Sequence, residues 1–212
     1  MDIAQKNLNT MEITLREASK RYGYTWIFKN LDLSLASGSR TAILGANGSG
    51  KSTLLQVLSG AQSLSDGSIA WQRDEKAVPV DKVYEHISIA APYLELIEEF
   101  TLTELVKFHF SLKKPLFNLS TDAIIDRSGL RDKCRYPLMY FSSGMKQRAK
   151  LLLALIADTP MVFLDEPLSN LDADAAIWYR KLIDDFGANR TMLVCSNHQK
   201  NEYDFCTREI HL

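Results

Sequence analysis

The sequence predicts an α/β fold, with a core of mixed or parallel sheet flanked by helices, an N-terminal antiparallel β subdomain and an inserted α-helical subdomain. Three observations lead to this prediction. A short apolar segment runs through a glycine-rich turn into a helical pattern near residue 45. Helical spacing then replaces the strand pattern between about residues 96 and 157, and strand patterns return after it. We expect a single domain over 11–212, with a core formed by 11–95 and 158–212, after a loose lead at 1–10.

Composition and charge restrict the class of protein. The chain has 212 residues, 46% of them hydrophobic and 24% charged, which is typical of a globular domain. A formal net charge of −1 gives no electrostatic basis for binding nucleic acid. The three cysteines show neither zinc spacing nor a disulfide framework, which predicts a reducing cytoplasm. No apolar run is long enough to span a bilayer, so we expect any membrane part to lie on another chain.

The pattern of residues in the N-terminal part of the chain predicts two strands. Alternation from Met11 places Ile13 and Leu15 on one side of the first strand. A second alternating stretch ends near Leu35, and an aromatic-rich turn is expected between the two strands, over residues 20–26. Edge-strand packing is the more common role for aromatic residues in such a turn.

The glycine-rich turn at Gly45–Ser52 matches the phosphate-binding pattern G-x-x-x-x-G-K-[ST]. It follows the apolar run Thr41–Leu44 and precedes Ser52–Ser59, whose apolar residues have helical spacing. Glycines let successive backbone N–H groups point at phosphate oxygens, and the helix N-terminus adds partial positive charge. We expect Lys51 to reach the β- and γ-phosphates and Ser52 to offer its hydroxyl to Mg²⁺. Strand, turn and helix together indicate a P-loop NTPase core.

Two later strands end in polar residues. The apolar run Met161–Leu164 stops at Asp165 and Glu166, and the run Thr191–Cys195 is soon followed by His198. Working residues in parallel sheets lie just beyond the carboxyl ends of the strands. We therefore expect these side chains and the phosphate-binding loop to meet at one edge of one sheet.

Helical patterns account for the rest of the chain. Helices are predicted within residues 101–135, and a longer helix opens at Ser142 or Ser143 and runs to Ala157. An amphipathic helix over about Ala173–Phe186 follows the Asp-Glu pair.

The stretch Phe141–Arg148 reads F-S-S-G-M-K-Q-R and lies just upstream of the Asp-Glu strand. It resembles the signature of the ATP-binding-cassette (ABC) family, which is usually L-S-G-G-Q. The order P-loop, signature, Asp-Glu and late histidine is specific to that family. From Met11 onward, the chain therefore resembles the nucleotide-binding ATPase subunit of ABC transporters.

This resemblance implies roles for individual residues. Asp165, with Ser52, would hold Mg²⁺, Glu166 would orient or activate the attacking water, and His198 would contact the γ-phosphate. Tyr22 corresponds best to the aromatic residue that stacks on adenine, with Tyr24 or Trp26 as alternatives. The residues expected to contact ATP in the loop are Gly45, Ala46, Asn47, Gly48, Ser49, Gly50, Lys51, Ser52 and Thr53.

The resemblance also implies partners. Two subunits, identical or different, would sandwich two ATP molecules head to tail, and separate transmembrane permease subunits would hold the dimer at the inner face of the cell membrane. Ser169 and Asp172 match the D-loop that bridges the subunits. The form of the signature resembles exporter-type subunits. The signature residues Ser142, Ser143, Gly144 and Met145 would cap the γ-phosphate bound by the partner subunit.

One position departs from the family pattern. The family has a glutamine on the loop that enters the helical subdomain, before a segment that here reads Phe100–Glu104. Counting back from that segment leads to Ala91-Pro92-Tyr93, which contains no glutamine, and Pro92 can neither ligate Mg²⁺ nor donate a hydrogen bond. Either Mg²⁺ keeps an additional water there, or a nearby residue such as Glu95 substitutes.

Two other functions are compatible with the motifs. One is an ABC ATPase of DNA repair, chromosome organisation or translation, although the coiled-coil insertion, zinc modules or second cassette typical of those proteins are not seen in the sequence. The other is a degenerate cassette that binds ATP without turnover, which the missing glutamine allows and intact Lys51, Asp165, Glu166 and His198 disfavour.

Overall fold

The computed structural model describes residues 11–212, and the loose lead predicted at 1–10 lies outside the described residues. The described chain divides into two compact units. The first contains the residues up to Ile87, Thr159–Asp165 and Asn189–Leu212, and the second contains Ser88–Asp158 and Glu166–Ala188. The single-domain limits given above, with a helical insertion at 96–157, stay a prediction.

The described residues begin with strands, and a run of consecutive helices in the middle of the chain separates the earlier strands from the later ones. The strands are β1 (Met11–Tyr22), β2 (Thr25–Leu35), β3 (Arg40–Leu44), β4 (Asp66–Arg73), β5 (Lys76–Ala77), β6 (Ile87–Ala90), β7 (Met161–Asp165), β8 (Thr191–Ser196) and β9 (Arg208–His211). The α-helices are α1 (Lys51–Leu58), α2 (Leu102–Leu112), α3 (Thr121–Ser128), α4 (Ser143–Ile156), α5 (Ala173–Phe186) and α6 (Lys200–Tyr203).

An antiparallel sheet with strand order β2-β1-β4-β5 forms the N-terminal part of the first unit. Ile13 and Leu15 alternate with more exposed neighbours, as half-buried strands do. The predicted turn over residues 20–26 is wrong in its extent, because Tyr22 pairs with Thr25 and leaves a two-residue loop. Gly23 makes this tight loop possible, since its φ of +56° is readily adopted by glycine.

A five-stranded sheet, order β6-β7-β8-β3-β9, contains the parallel pairs β7–β8, β8–β3 and β3–β9. Every residue of β7 and β8 is buried, as expected for strands covered on both faces. Leu44 lies beside Ser196, and Asp165 lies beside Cys195. The carboxyl ends of β3, β7 and β8 therefore lie along one edge, and the predicted α/β fold class is confirmed.

The second unit is mostly helical, with contacts between α2 and α3, α3 and α4, and α4 and α5. Helix α2 begins with a capping box, in which Thr101 accepts a hydrogen bond from Glu104 N and the Glu104 carboxylate accepts one from Thr101 N. The end of α4 is buried from Leu151 to Ile156. None of the helices formed by residues 11–212 has the length and apolar character needed to cross a membrane.

Candidate functional site

The glycine-rich loop connects β3 to α1 in the first unit. Gly45 N donates to Ser196 O at 3.4 Å, which fastens the start of the loop to β8. A Cβ atom on Gly45 would lie 2.5 Å from Ser49 Oγ and 2.9 Å from Leu212 O, so a side chain does not fit there. Gly50, at the N-cap of α1, has a φ of +102°, and its Cβ would lie 2.6 Å from Ile27 Cγ2. The loop conformation therefore depends on glycine at both positions.

Lys51 is buried at the start of α1. Its ammonium donates to Gly45 O at 2.7 Å and to Ala46 O at 3.0 Å, so the loop folds around its own lysine. Ser49 Oγ is buried and has no hydrogen-bond partner among residues 11–212. Buried hydroxyls are normally paired, and helix N-termini present unbonded N–H groups. The loop thus contains the cation, the hydroxyl and the helix end that a phosphate group requires.

Asp165, the last residue of β7, is 1% exposed. Its neighbour across the sheet is Cys195, whose Sγ lies 3.8 Å from the carbonyl oxygen of Lys51. This contact places the end of β7 next to the beginning of α1, where Ser52 also lies. A carboxylate and a hydroxyl on adjoining elements are ligands that Mg²⁺ uses.

His198 follows β8 and has a φ of +60°, in the left-handed region that non-glycine residues seldom adopt. The turn is held by Ser196 Oγ, which accepts from Gln199 N at 3.1 Å and is hydrogen-bonded to Glu202 Oε2. The His198 ring is stacked on that of His211 at 6.1 Å between centroids. Sequence reasoning missed Glu202 and His211, because an acidic residue and a histidine in short polar segments carry no motif.

The three aromatic residues of the β1–β2 hairpin differ in orientation. Tyr22 lies on the same side of the strand as Lys20, whose ammonium is 5.0 Å from the Tyr22 ring centroid. Lys20 in turn donates to Ser63 O, in the segment after α1, at 2.7 Å. Trp26 pairs with Arg21 on the opposite side, and Tyr24 is 99% exposed at the tip.

The signature segment (Ser142–Met145) opens α4 in the second unit. Ser142 is the N-cap and its Oγ accepts from Met145 N at 3.3 Å, which confirms the predicted start of this helix. The side chains of Ser142 and Ser143 are exposed. A Cβ atom on Gly144 would lie 2.7 Å from Asn170 O, so the segment packs against the loop that contains Ser169.

Glu166 and the predicted D-loop residues also lie in the second unit. Glu166 has a φ of +43° and its carbonyl accepts from Ser169 N at 3.0 Å, which makes a tight turn directly after β7. Strained backbone of this kind concentrates at functional sites. Asp172 is the N-cap of α5, where its Oδ1 accepts from Ala175 N at 2.8 Å.

Pro92, at the position of the missing glutamine, lies on an exposed segment after β6. Its carbonyl oxygen accepts a hydrogen bond from Lys150 Nζ at 3.1 Å. Sequence reasoning missed this contact, because Lys150 and Pro92 are 58 positions apart and no local pattern links them.

The fold is that of a P-loop NTPase, with a glycine-rich loop on a parallel sheet and a helical unit that carries a second motif. A family model described as ABC transporter matches residues 28–169, and the chain belongs to that family. The resemblance found in the sequence is therefore confirmed.

Individual relatives agree with this assignment. The chain is 33% identical, over 82% of its length and 54% of the relative's, to the sulfate/thiosulfate import ATP-binding protein CysA of Thermosynechococcus vestitus. The chain spans about half the length of the curated relatives it matches. Its fold is similar to a bacterial Atm1-family ABC exporter with ATP bound, with a TM-score of 0.81, 20% identity, and coverage of 97% of this chain and 38% of that one. It is also similar to a post-hydrolysis dimer of the cassette MJ0796 bound to ADP and Pi, with a TM-score of 0.77, 21% identity and 94% coverage of both chains.

Proposed function

We propose that the chain binds and hydrolyses ATP as the nucleotide-binding subunit of an ABC transporter. The main support for this proposal is the conformation of the loop between β3 and α1. In that loop, the buried ammonium of Lys51 donates hydrogen bonds to the carbonyls of Gly45 and Ala46. Family membership supports ATP as the nucleotide.

The residues of the first unit fit ATP and Mg²⁺. Gly45–Thr53 would hold the phosphates through backbone N–H groups and Lys51, and the unpaired hydroxyl of Ser49 would find a partner there. Ser52 and Asp165 would hold Mg²⁺, which supplies charge neutralisation at the phosphates. Tyr22 is our choice for the adenine contact, because its side of the hairpin carries Lys20, which reaches the segment after α1.

Glu166 and His198 would perform the chemistry. Catalysis of phosphoryl transfer is mostly positioning and charge stabilisation, so a carboxylate in a fixed turn after β7 suits a residue that orients water and accepts its proton. The imidazole of His198 would contact the γ-phosphate from a turn that Ser196 and Glu202 hold.

The signature segment would complete the site of a second subunit. Exposed hydroxyls at the start of the 14-residue helix α4 suit an anion that a partner subunit brings. Ser169 and Asp172 would bridge the two subunits, which can be identical or different. The name of the MJ0796 structure describes a dimer of such a cassette.

The membrane part of the transporter would be a separate permease that places this chain at the cytoplasmic face of the membrane. The curated relatives carry the name of an import ATP-binding protein, so the expected exporter type is not supported and is not part of this proposal.

The test is ATP hydrolysis with Mg²⁺ over a range of protein concentrations. We expect activity to rise faster than linearly with concentration, because each site needs the partner's signature segment. A Glu166→Gln variant should lose about 10²-fold or more in turnover and accumulate as an ATP-bound dimer. The matched control Glu12→Gln, at an exposed position of β1, should behave as the wild type. A wild type that binds ATP but never hydrolyses it would contradict the proposal and favour the degenerate cassette.

A further inference from the structure

Two lysines of α4 bind the segment at residues 91–98, which contains Pro92. Lys150 Nζ donates to Ala91 O at 3.3 Å and to Pro92 O at 3.1 Å. One turn earlier, Lys146 forms an ion pair with Glu98. Residues four apart lie on one face of a helix. One face of α4 therefore contacts both the beginning of the segment, at residues 91–92, and its end, at Glu98.

The backbone of the segment is shaped for this contact. Pro92 presets its own φ, and Leu94 N donates to Ala91 O at 3.2 Å, which bends the chain. An ammonium has three donors and can bind two successive carbonyls at once. The carbonyl groups of Ala91 and Pro92 therefore share the ammonium of Lys150.

The other end of the segment is also fastened within the second unit. Met139 N donates to Glu98 O at 2.9 Å and Leu138 N donates to Phe100 O at 2.8 Å. Partial burial lowers the pKa of Lys150, and the nearby carboxylate of Glu95 opposes this effect by favouring the cation.

From these contacts we infer that Lys150, assisted by Lys146, is a positioning residue that makes residues 91–98 move together with the signature helix. This inference rests on the proposed function, because the N-terminus of α4 is where the partner's ATP is proposed to bind. Binding there would displace α4, and the two lysines would transmit the displacement to the segment around Pro92.

The contact itself is tested without nucleotide, by hydrogen exchange of the backbone amides in residues 91–100. Lys150→Met should raise their exchange rates by about five- to tenfold, since it removes a charged donor from two carbonyls. Lys150→Arg, which keeps the donor, should restore most of the protection. Lys107→Met, at an exposed position of α2, is the matched control and should change nothing. Unchanged exchange in Lys150→Met would overturn the inference, whatever the ATPase assay shows.

Transmission is tested in the Glu166→Gln background with ATP. We expect dimer formation to alter exchange in residues 91–100, and the additional change Lys150→Met to abolish that response while the dimer still forms. A response that survives Lys150→Met would contradict transmission through this lysine. Absence of any ATP-dependent dimer would instead count against the proposed function, and the nucleotide-free experiment would then decide whether the contact exists.

Discussion

His109 is an unusual residue of α2, because its Nε2 atom is buried and has no hydrogen-bond partner among the described residues. Its ring lies edge-on to Phe110, with 4.9 Å between the ring centroids. Burial, with a smaller contribution from the positive charge of Lys113, lowers the pKa of His109 to about 4. The folded protein therefore holds this imidazole in its neutral form at neutral pH.

The lowered pKa of His109 predicts acid sensitivity. Between its unfolded pKa of 6.5 and about 4, the unfolded chain binds a proton that the folded chain does not, so stability is lost as pH falls through this window. The loss attributable to His109 should approach roughly 3 kcal/mol at pH 4. Urea unfolding gives the free energy of unfolding of the wild type and of His109→Leu at pH 7.5 and 4.5. The loss between the two pH values should be larger in the wild type, and the difference is the contribution of His109. Equal pH dependence in the two proteins would contradict the prediction.

The close packing at Gly144 predicts that any larger residue there destabilises the signature segment. A methyl group there would approach Asn170 O to 2.7 Å, which requires backbone movement. Gly144→Ala should therefore lower the free energy of unfolding by about 1–3 kcal/mol. In the same turn, the exposed side-chain change Ser143→Ala should alter stability by no more than about 0.5 kcal/mol. Urea titration compares the two variants, and similar values for both would argue against the close contact.

At the scale of elements, the beginnings of helices were the most predictable features. Ser142 caps α4, and α5 has the limits predicted for it, because N-capping and helical spacing are local properties. The short strands β5, β6 and β9 were not predicted, since two to four residues carry too little periodicity. Strand β9 is stabilised by pairing with β3, a contact that the sequence of β9 alone does not encode.

Asp172 caps α5 and is also predicted to bridge two subunits as part of the D-loop. Two substitutions at this position can distinguish these roles. Asp172→Ala should cost about 1 kcal/mol of stability, because Ala175 N loses its acceptor. Asp172→Asn should keep the cap and the stability, since asparagine caps as well as aspartate. If the carboxylate also bridges two subunits, Asp172→Asn should still weaken the ATP-dependent dimer. Thermal unfolding and size-exclusion chromatography measure the two effects, and a stable variant with normal dimerisation would refute the bridging role.

At the scale of the molecule, the predicted site residues belong to two different units. The P-loop, Asp165 and His198 belong to the first, while Glu166, the signature segment and the D-loop belong to the second. Motifs of contiguous residues could be recognised from sequence because their geometry is local. Contacts such as Lys150 with Pro92 could not, since they depend on how distant segments pack.

Binding of ATP should stabilise the whole chain. With nucleotide at 100 times its dissociation constant, binding alone should raise the free energy of unfolding by about 2.7 kcal/mol, and dimerisation should add to this gain. Lys51→Met should remove this gain, and Lys29→Met, at an exposed position of β2, should retain it. Denaturant unfolding with and without Mg-ATP, in the Glu166→Gln background, gives the difference directly. A full ATP effect in Lys51→Met would show that the nucleotide binds elsewhere.

The buried ammonium of Lys51 has a consequence for the energetics of nucleotide entry. The cation has already left water during folding, and the carbonyls of Gly45 and Ala46 satisfy two of its three donors. An incoming phosphate therefore does not have to dehydrate a free lysine. It exchanges one set of oxygen acceptors for another around a cation that is already in place, so the lysine loses little additional conformational entropy when the nucleotide binds.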